Sequence, residues 1–168
     1  MLEIGIKRLT PPILLAGLLA AGAGPLIIAL GAQYLGGLEP CILCQYQRIP
    51  YWTVIGLAAA GLLVESADRR GIFLLAAAVF AAGAALAFYH VGVEQHWWAS
   101  AANCGAGAPL PGSFEAFRAT PLKPLTKACD EVDWTLFGLS MTVYNTAVSL
   151  FLAAASIFAA SRMKTNAS

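Results

Sequence analysis

The stretch IFLLAAAVFAAGAALAFYHVGV, from Ile72 to Val93, contains no Asp, Glu, Lys or Arg. At 1.5 Å per residue, a helix of that length crosses the roughly 30 Å of hydrocarbon in a bilayer. Its apolar residues leave no polar face, the pattern of a helix surrounded by lipid. Three further runs read the same way. One covers about 13–35, behind Lys7 and Arg8, and a short one covers about 49–64, ending at Glu65, Asp68, Arg69 and Arg70. The last covers about 137–160 and stops at Arg162 and Lys164. The whole chain agrees with this reading: 59% of its 168 residues are hydrophobic and 11% charged, with a mean hydropathy of +0.71. Soluble domains carry roughly 25% charged residues. A net charge of +1 with no basic block excludes a disordered chain and a nucleic-acid-binding surface.

The expected fold is an all-α membrane protein: one integral membrane domain over 1–168, built as a four-transmembrane-helix bundle. Loops at about 36–48 and 94–136 share one side of the membrane. Lys7-Arg8, an apolar run and Ala21-Gly22-Ala23 resemble a cleavable secretory signal, but the run continues to Leu35, beyond the roughly 7–15 residues of an h-region. Gly24-Pro25 is expected to bend the first helix. Lys7, Arg8, Arg69, Arg70, Arg162 and Lys164 lie on the side opposite Arg48, Arg118, Lys123 and Lys127. The positive-inside rule therefore places both termini in the cytoplasm. Tyr34, Tyr46, Tyr51, Trp52, Tyr89, Trp97, Trp98 and Trp134 gather toward the outer interface, and only Tyr144 sits deeper. Two readings stand for this asymmetry, an uneven aromatic belt or an aromatic-lined pocket at the outer surface.

All four cysteines fall in the two outer loops: Cys41 and Cys44 in the first, Cys104 and Cys129 in the second. Disulfides persist on that face. A four-thiolate zinc site lacks its second closely spaced pair. Two structural disulfides are the plain alternative, but a Cys-x-x-Cys bridge closes so small a loop that it constrains the unfolded chain little. Redox-active pairs are the favoured reading, although a structural bridge remains open for Cys104 and Cys129. A helix beginning near Cys44 would stabilise a thiolate there and put Arg48 one turn deeper on the same face. Pro50 should disturb that turn. Arg48 reads either as a snorkelling interfacial charge or as a guanidinium that stabilises a thiolate or a cofactor oxyanion. His90 reads either as an interfacial histidine paired to Glu94 or as a donor to a cofactor carbonyl. Glu94 and His96 are expected in the loop, and Gln33 either faces the same pocket or bonds a neighbouring helix. Ser113 through Arg118 is expected as a short interfacial helix bracketed by Pro109, Pro111, Pro121 and Pro124.

The segment Cys41-Ile42-Leu43-Cys44-Gln45-Tyr46-Gln47-Arg48 resembles the first external loop of the DsbB family of disulfide bond formation proteins. The resemblance continues through Tyr89 to Glu94 and Trp97-Trp98, then through Cys129 to Trp134 and Gly138 to Met141, in the family's order. It implies a relay in which a periplasmic DsbA-like thioredoxin-fold protein is reoxidised and the electrons reach a membrane quinone, ubiquinone or menaquinone. It further implies that Cys104 forms the mixed disulfide with the partner and that Cys129 is its disulfide mate and exchanges with Cys41. Cys44 and Arg48 would then lie beside the quinone, with His90 near it. The implied location is the bacterial inner membrane, with the cysteine loops periplasmic. Two other readings remain. In a vitamin K epoxide reductase-like enzyme the Cys-x-x-Cys follows the loop pair, whereas here it precedes it. A non-catalytic membrane subunit would hold two inert disulfides.

Overall fold

Apolar runs too long to stay in water and too short of polar groups to form loops become helices. The computed structural model describes residues 11–64, 68–101, 115, 127–132 and 134–163. Within them the chain forms α1 (Pro11–Tyr34), α2 (Ile42–Tyr46), α3 (Ile49–Leu63), α4 (Arg69–Glu94), β1 (Thr135–Leu136), β2 (Leu139–Ser140) and α5 (Met141–Arg162). The first turn of α1 holds Pro11 and Pro12, where a missing N–H costs nothing. Pro25 lies inside α1, which continues past it to Tyr34.

Helices α1, α4 and α5 have 24, 26 and 22 residues, and each is long and apolar enough to cross a membrane. Helix α3 has 15, about 22 Å at the α-helical rise. It is preceded almost without a break by α2, and the Trp52 N–H already bonds the Arg48 carbonyl at 3.1 Å. Pro50 causes the interruption. It occupies the second position of α3, where it needs no N–H, and the chain before it cannot run on as regular helix.

The last helix begins at Met141, not near residue 137 as the apolar run suggested. Residues 135–140 form a two-strand hairpin instead, with Thr135 opposite Ser140 and Leu136 opposite Leu139. Its two turn residues, Phe137 and Gly138, both have positive φ, 50° and 79°, as a tight hairpin turn requires. Ser140 then caps α5, its hydroxyl accepting from the Val143 N–H at 3.4 Å. Tyr144 therefore sits in the first turn of α5, not deep in the span, and its hydroxyl bonds the Leu136 carbonyl at 2.8 Å. The expected helix from Ser113 to Arg118 lies outside the described residues except for Glu115, which is helical.

Helix α4 runs along α5, α1 along α3, and α3 against α4. Val54, Ala58, Ala76 and Phe80 are fully buried where they meet. Gly22 permits the α1–α3 approach, since a Cβ there would press on Ile55 and the Tyr51 carbonyl. Small residues that let backbones approach are the usual basis of helix association in lipid. The result brings the C-terminal ends of α1 and α4, the start of α5 and the α2–α3 junction to one end of the bundle.

Candidate active site

Cys41 is the N-cap of α2, with Cys44 one turn on. The Cys41 Sγ accepts from the Cys44 backbone N–H at 3.3 Å, and the two Sγ atoms are 3.0 Å apart. Both thiols are free, Cys41 buried and Cys44 partly exposed. Two sulfurs this close can share one proton, and the surroundings decide which sulfur gives it up. The Cys44 thiol as donor, then His90 and the Cys44 N–H, hold Cys41 well below the usual thiol range against the opposing effect of its burial. Cys44 is pushed upward by that same partner and by burial. The helix end thus stabilises a thiolate on Cys41, the capping residue, whereas the sequence suggested Cys44. The reason is register: the short helix starts at Ile42, two residues earlier than supposed.

Helix α4 brings His90 to the pair. This imidazole is 2% exposed, with Nε2 at 3.6 Å from the Cys41 Sγ and 3.1 Å from the Cys129 carbonyl oxygen. Its other nitrogen, Nδ1, lies 2.7 Å from the Gln47 amide nitrogen. The expected pairing of His90 with Glu94 does not occur. Glu94 is the last residue of α4, not a loop residue, and accepts from Ser140 Oγ at 2.5 Å and Thr142 Oγ1 at 2.6 Å. That carboxylate ties the end of α4 to the start of α5, a favourable place for negative charge. His96 is in the loop beyond, at φ 59° and 4.0 Å from an Asp130 carboxylate oxygen.

A cavity of about 600 Å³ opens beside the two thiols. Its walls are largely apolar, with Pro25, Ile28, Ala29, Met141 and Val148 among them, and Cys44, Gln33 and Arg48 supply polar groups. The Arg48 Nη1 donates to Gln33 Oε1 at 2.6 Å, which holds the guanidinium at the cavity wall, so Gln33 both lines the pocket and bonds the N-cap of the neighbouring helix α3. Of the aromatic residues, Tyr51, Trp134 and Tyr144 line the cavity. Trp97 and Trp98 instead form an exposed cluster with Phe88 and Tyr89. Trp98 lies flat on α4 because residue 92 is glycine, where any Cβ would strike its ring.

Cys129 is disulfide-bonded and buried with Cys41, Leu43 and Val93 in one cluster. Its sulfur is therefore not a thiolate, whereas the ligand atoms of Cys41, Cys44 and His90 lie within 4.8 Å of one another. Cys104 lies outside the described residues. The model of the family "Disulfide bond formation protein DsbB" matches residues 11–159. The chain belongs to the DsbB family. It is 38% identical to the disulfide bond formation protein B of Methylococcus capsulatus over 73% of this chain and 77% of that one. It is 32% identical to that of Pseudoalteromonas translucida over 84% and 85%, and 36% identical to that of Xanthomonas campestris pv. campestris over 78% of each. No solved structure matches. As a DsbB-family protein with three helices able to span a membrane, it is a membrane protein of disulfide bond formation.

Of the residues singled out from sequence, Cys41, Cys44, Arg48, His90 and Gln33 converge on this one cavity. Sequence reasoning passed over Gln47, Asn145 and Ser149. The Asn145 Nδ2 donates to Gln47 Oε1 at 2.5 Å, Tyr51 OH donates to Asn145 Oδ1 at 2.5 Å, and Ser149 Oγ lies 2.9 Å from Tyr51 OH. An amide within an apolar span is the signal that marks Asn145, because an unsatisfied polar group is costly there.

Proposed function

We propose that this protein is a quinone-dependent protein-dithiol oxidoreductase that reoxidises a periplasmic, DsbA-like thioredoxin-fold protein. In this reading it is a single four-span domain of the bacterial inner membrane, with α3 as the short span. Both termini are cytoplasmic, and segments 36–48 and 94–136 are periplasmic. One observation carries the proposal: the free Cys41–Cys44 pair opens on a largely apolar cavity that also presents Arg48, while the disulfide-bonded Cys129 packs against Cys41.

The cavity suits a quinone, ubiquinone or menaquinone. Such a headgroup needs apolar walls, a donor for its carbonyl and a nearby thiol; Ile28 and Val148, Arg48 and Cys44 would provide these. Ile28 is also 66% exposed, so the cavity wall continues into the surface that faces lipid, where an isoprenoid tail belongs. When bound, the quinone accepts the two electrons and two protons released as the pair closes to a disulfide.

The protein's own sulfurs do the rest by thiolate exchange. The partner's thiolate attacks Cys104 of a Cys104–Cys129 disulfide, forming a mixed disulfide and freeing the Cys129 thiolate. Cys129 attacks Cys41 of the oxidised short pair, and Cys44 leaves as thiolate. The partner's second thiol then resolves the mixed disulfide and departs oxidised. The freed Cys104 attacks Cys129, restoring the long-loop disulfide and releasing Cys41. Both electrons now rest on Cys41 and Cys44, with Cys129 bonded, the pairing that the described cysteines have. Cys41, favoured as the thiolate, closes the disulfide onto the sulfur of Cys44. His90 donates to Cys41 until it does so, and Arg48 would hold a bound quinone by one carbonyl oxygen and supply a fixed positive charge there.

The deciding experiment is anaerobic. Purified protein, ubiquinone or, in a parallel sample, menaquinone, and a reduced DsbA-like protein are mixed, and quinone absorbance is followed for the wild type and for Cys104→Ser. Partner-dependent reduction that disappears in the variant is the expected result. No reduction with either quinone, with disulfides intact, would refute the proposal.

A further inference from the structure

Five side chains link the cysteine pair to the interior of the bundle: His90, Gln47, Asn145, Tyr51 and Ser149. Gln47, His90 and Ser149 are each less than a tenth exposed. A chain of hydrogen bonds through amides has a direction, because each amide must turn its NH₂ one way and its oxygen the other. Here the direction follows from one end. The Nε2 of His90 faces a backbone carbonyl, that of Cys129, which only accepts, so Nε2 carries a hydrogen. Nδ1 faces the NH₂ of Gln47, which only donates, so Nδ1 is bare. The Gln47 oxygen accepts from Asn145, the Asn145 oxygen from Tyr51, and the Tyr51 oxygen is free to accept from Ser149. Each link is satisfied in that sense. Protonation of Nδ1 would require both amides to rotate together.

We propose that Gln47, Asn145 and Tyr51 are positioning residues, which hold His90 as its neutral Nε2–H tautomer and so aim a single N–H at Cys41 and the backbone of Cys129. Neither Asn145 nor Tyr51 touches a sulfur; each acts through the next link. The arrangement singles out one sulfur of the pair for the donor and holds the Cys129 backbone beside it. This inference rests on the dithiol reading above for its purpose, but not for its test.

The chain has two histidines, His90 and His96, so histidine-selective ¹⁵N labelling of the full-length protein in lipid nanodiscs yields two rings, and His96→Gln assigns them. In the reduced wild type, His90 should show a protonated Nε2 and a bare Nδ1. Asn145→Asp is the decisive variant. A carboxylate there only accepts, so Gln47 must turn its NH₂ away from His90 and its oxygen toward it, and the bare-nitrogen signal of Nδ1 should be lost. Gln47→Glu places an acceptor against Nδ1 directly and should give the same loss, which keeps the test open if one variant does not fold. Tyr51→Phe removes the donor that orders Asn145 and should split the Nδ1 signal between the two forms. A wild-type Nδ1 that already carries hydrogen would overturn the inference, as would a folded Asn145→Asp with an unchanged His90 spectrum. A merely structural role for Asn145 predicts that unchanged spectrum. Quinone reduction by the same samples is scored separately. A protein without that activity but with the predicted spectra refutes the function and leaves the chain's direction standing.

Discussion

Where α1 begins, α3 ends, α4 begins and α5 ends, Leu15, Phe73 and Ala160 are buried in one apolar cluster, beside the buried Nε atoms of Arg69 and Arg70, and Leu15 and Ile72 close so tightly on Gly61 that a Cβ would not fit. At the opposite end, around Cys41, polar side chains are buried as well as apolar ones: Gln47, His90, Ser140 and Thr142, each with hydrogen-bond partners. The two ends follow different physics. Lipid is as apolar as leucine, so the first end is held by close van der Waals packing. At the second end, each buried polar group left unpaired costs about 1–3 kcal/mol, which puts a premium on specific partners. The proposed function belongs to that end, because polar groups fixed in place beside an apolar cavity are what redox chemistry on a hydrophobic substrate would require.

The contrast predicts that stability and activity are lost separately. Cys44→Ser should give the largest effect on activity, bringing partner-dependent quinone reduction to the uncatalysed background while the thermal unfolding midpoint stays near that of the wild type. Activity remaining in that variant would show that the pair at the polar end does not carry the electrons. Leu15→Ala should do the reverse. It should cost about 2–5 kcal/mol of stability through the cavity it leaves, read as a lowered unfolding temperature, with the rate per folded molecule preserved. If quinone reduction falls with Leu15 at a temperature where the protein remains folded, the two ends are coupled and the contrast fails.

Arg48→Ala separates the cavity from the thiols. Losing a charged donor to a bound carbonyl is worth about 1.5–3 kcal/mol, which corresponds to a rise of roughly 10- to 100-fold in the quinone concentration needed for half-maximal rate. The rate at saturation and the reactivity of the Cys41 and Cys44 thiols should change less. Unchanged quinone kinetics would count against a role for Arg48 at the cavity wall and leave its bond to Gln33 as its only purpose.

Much of this was legible in the residues, for identifiable reasons. Long apolar runs without charge or turn residues favour helix, which is why α1, α3 and α4 begin and end within three residues of their expected limits. The start of α5 was misplaced because hydropathy does not distinguish a hairpin of Leu136, Phe137 and Leu139 from a helical turn. Gly138, with its positive φ, was the available signal. At the site, Cys41 and Cys44 stood out through residue type and spacing, whereas Arg48 and His90 each allowed two readings and were joined to them only by the family resemblance. Which sulfur caps the helix depended on α2 starting at Ile42, a register that residue type and spacing do not reveal. The link from Gln47 through Asn145 to Tyr51 joins α3 to α5 across most of the chain, and no local pattern encodes so distant a pairing.

The smallest effect tests which sulfur is the thiolate. The Cys44 thiol is the largest cause of the lowered titration of Cys41, ahead of His90 and the backbone N–H. Cys44→Ala removes that donor and leaves the other two, whereas Cys44→Ser keeps a hydroxyl in its place. A lowered thiol stays ionised at acidic pH, so alkylation of Cys41 in the reduced protein, quantified by mass spectrometry, should persist in the wild type well below the ordinary thiol value of 9.0. Its midpoint should move upward in Cys44→Ala and less far in Cys44→Ser. The same sign applies to stability. The partners of the Cys41 thiolate contribute fully above its ordinary value, and the reduced protein loses that contribution as pH falls through the lowered one. Cys44→Ala, with a higher Cys41 midpoint, should lose its share at a higher pH. Equal Cys41 midpoints for the two variants and the wild type would mean that the neighbouring thiol does not set its charge. The helix end and His90 would then account for it alone.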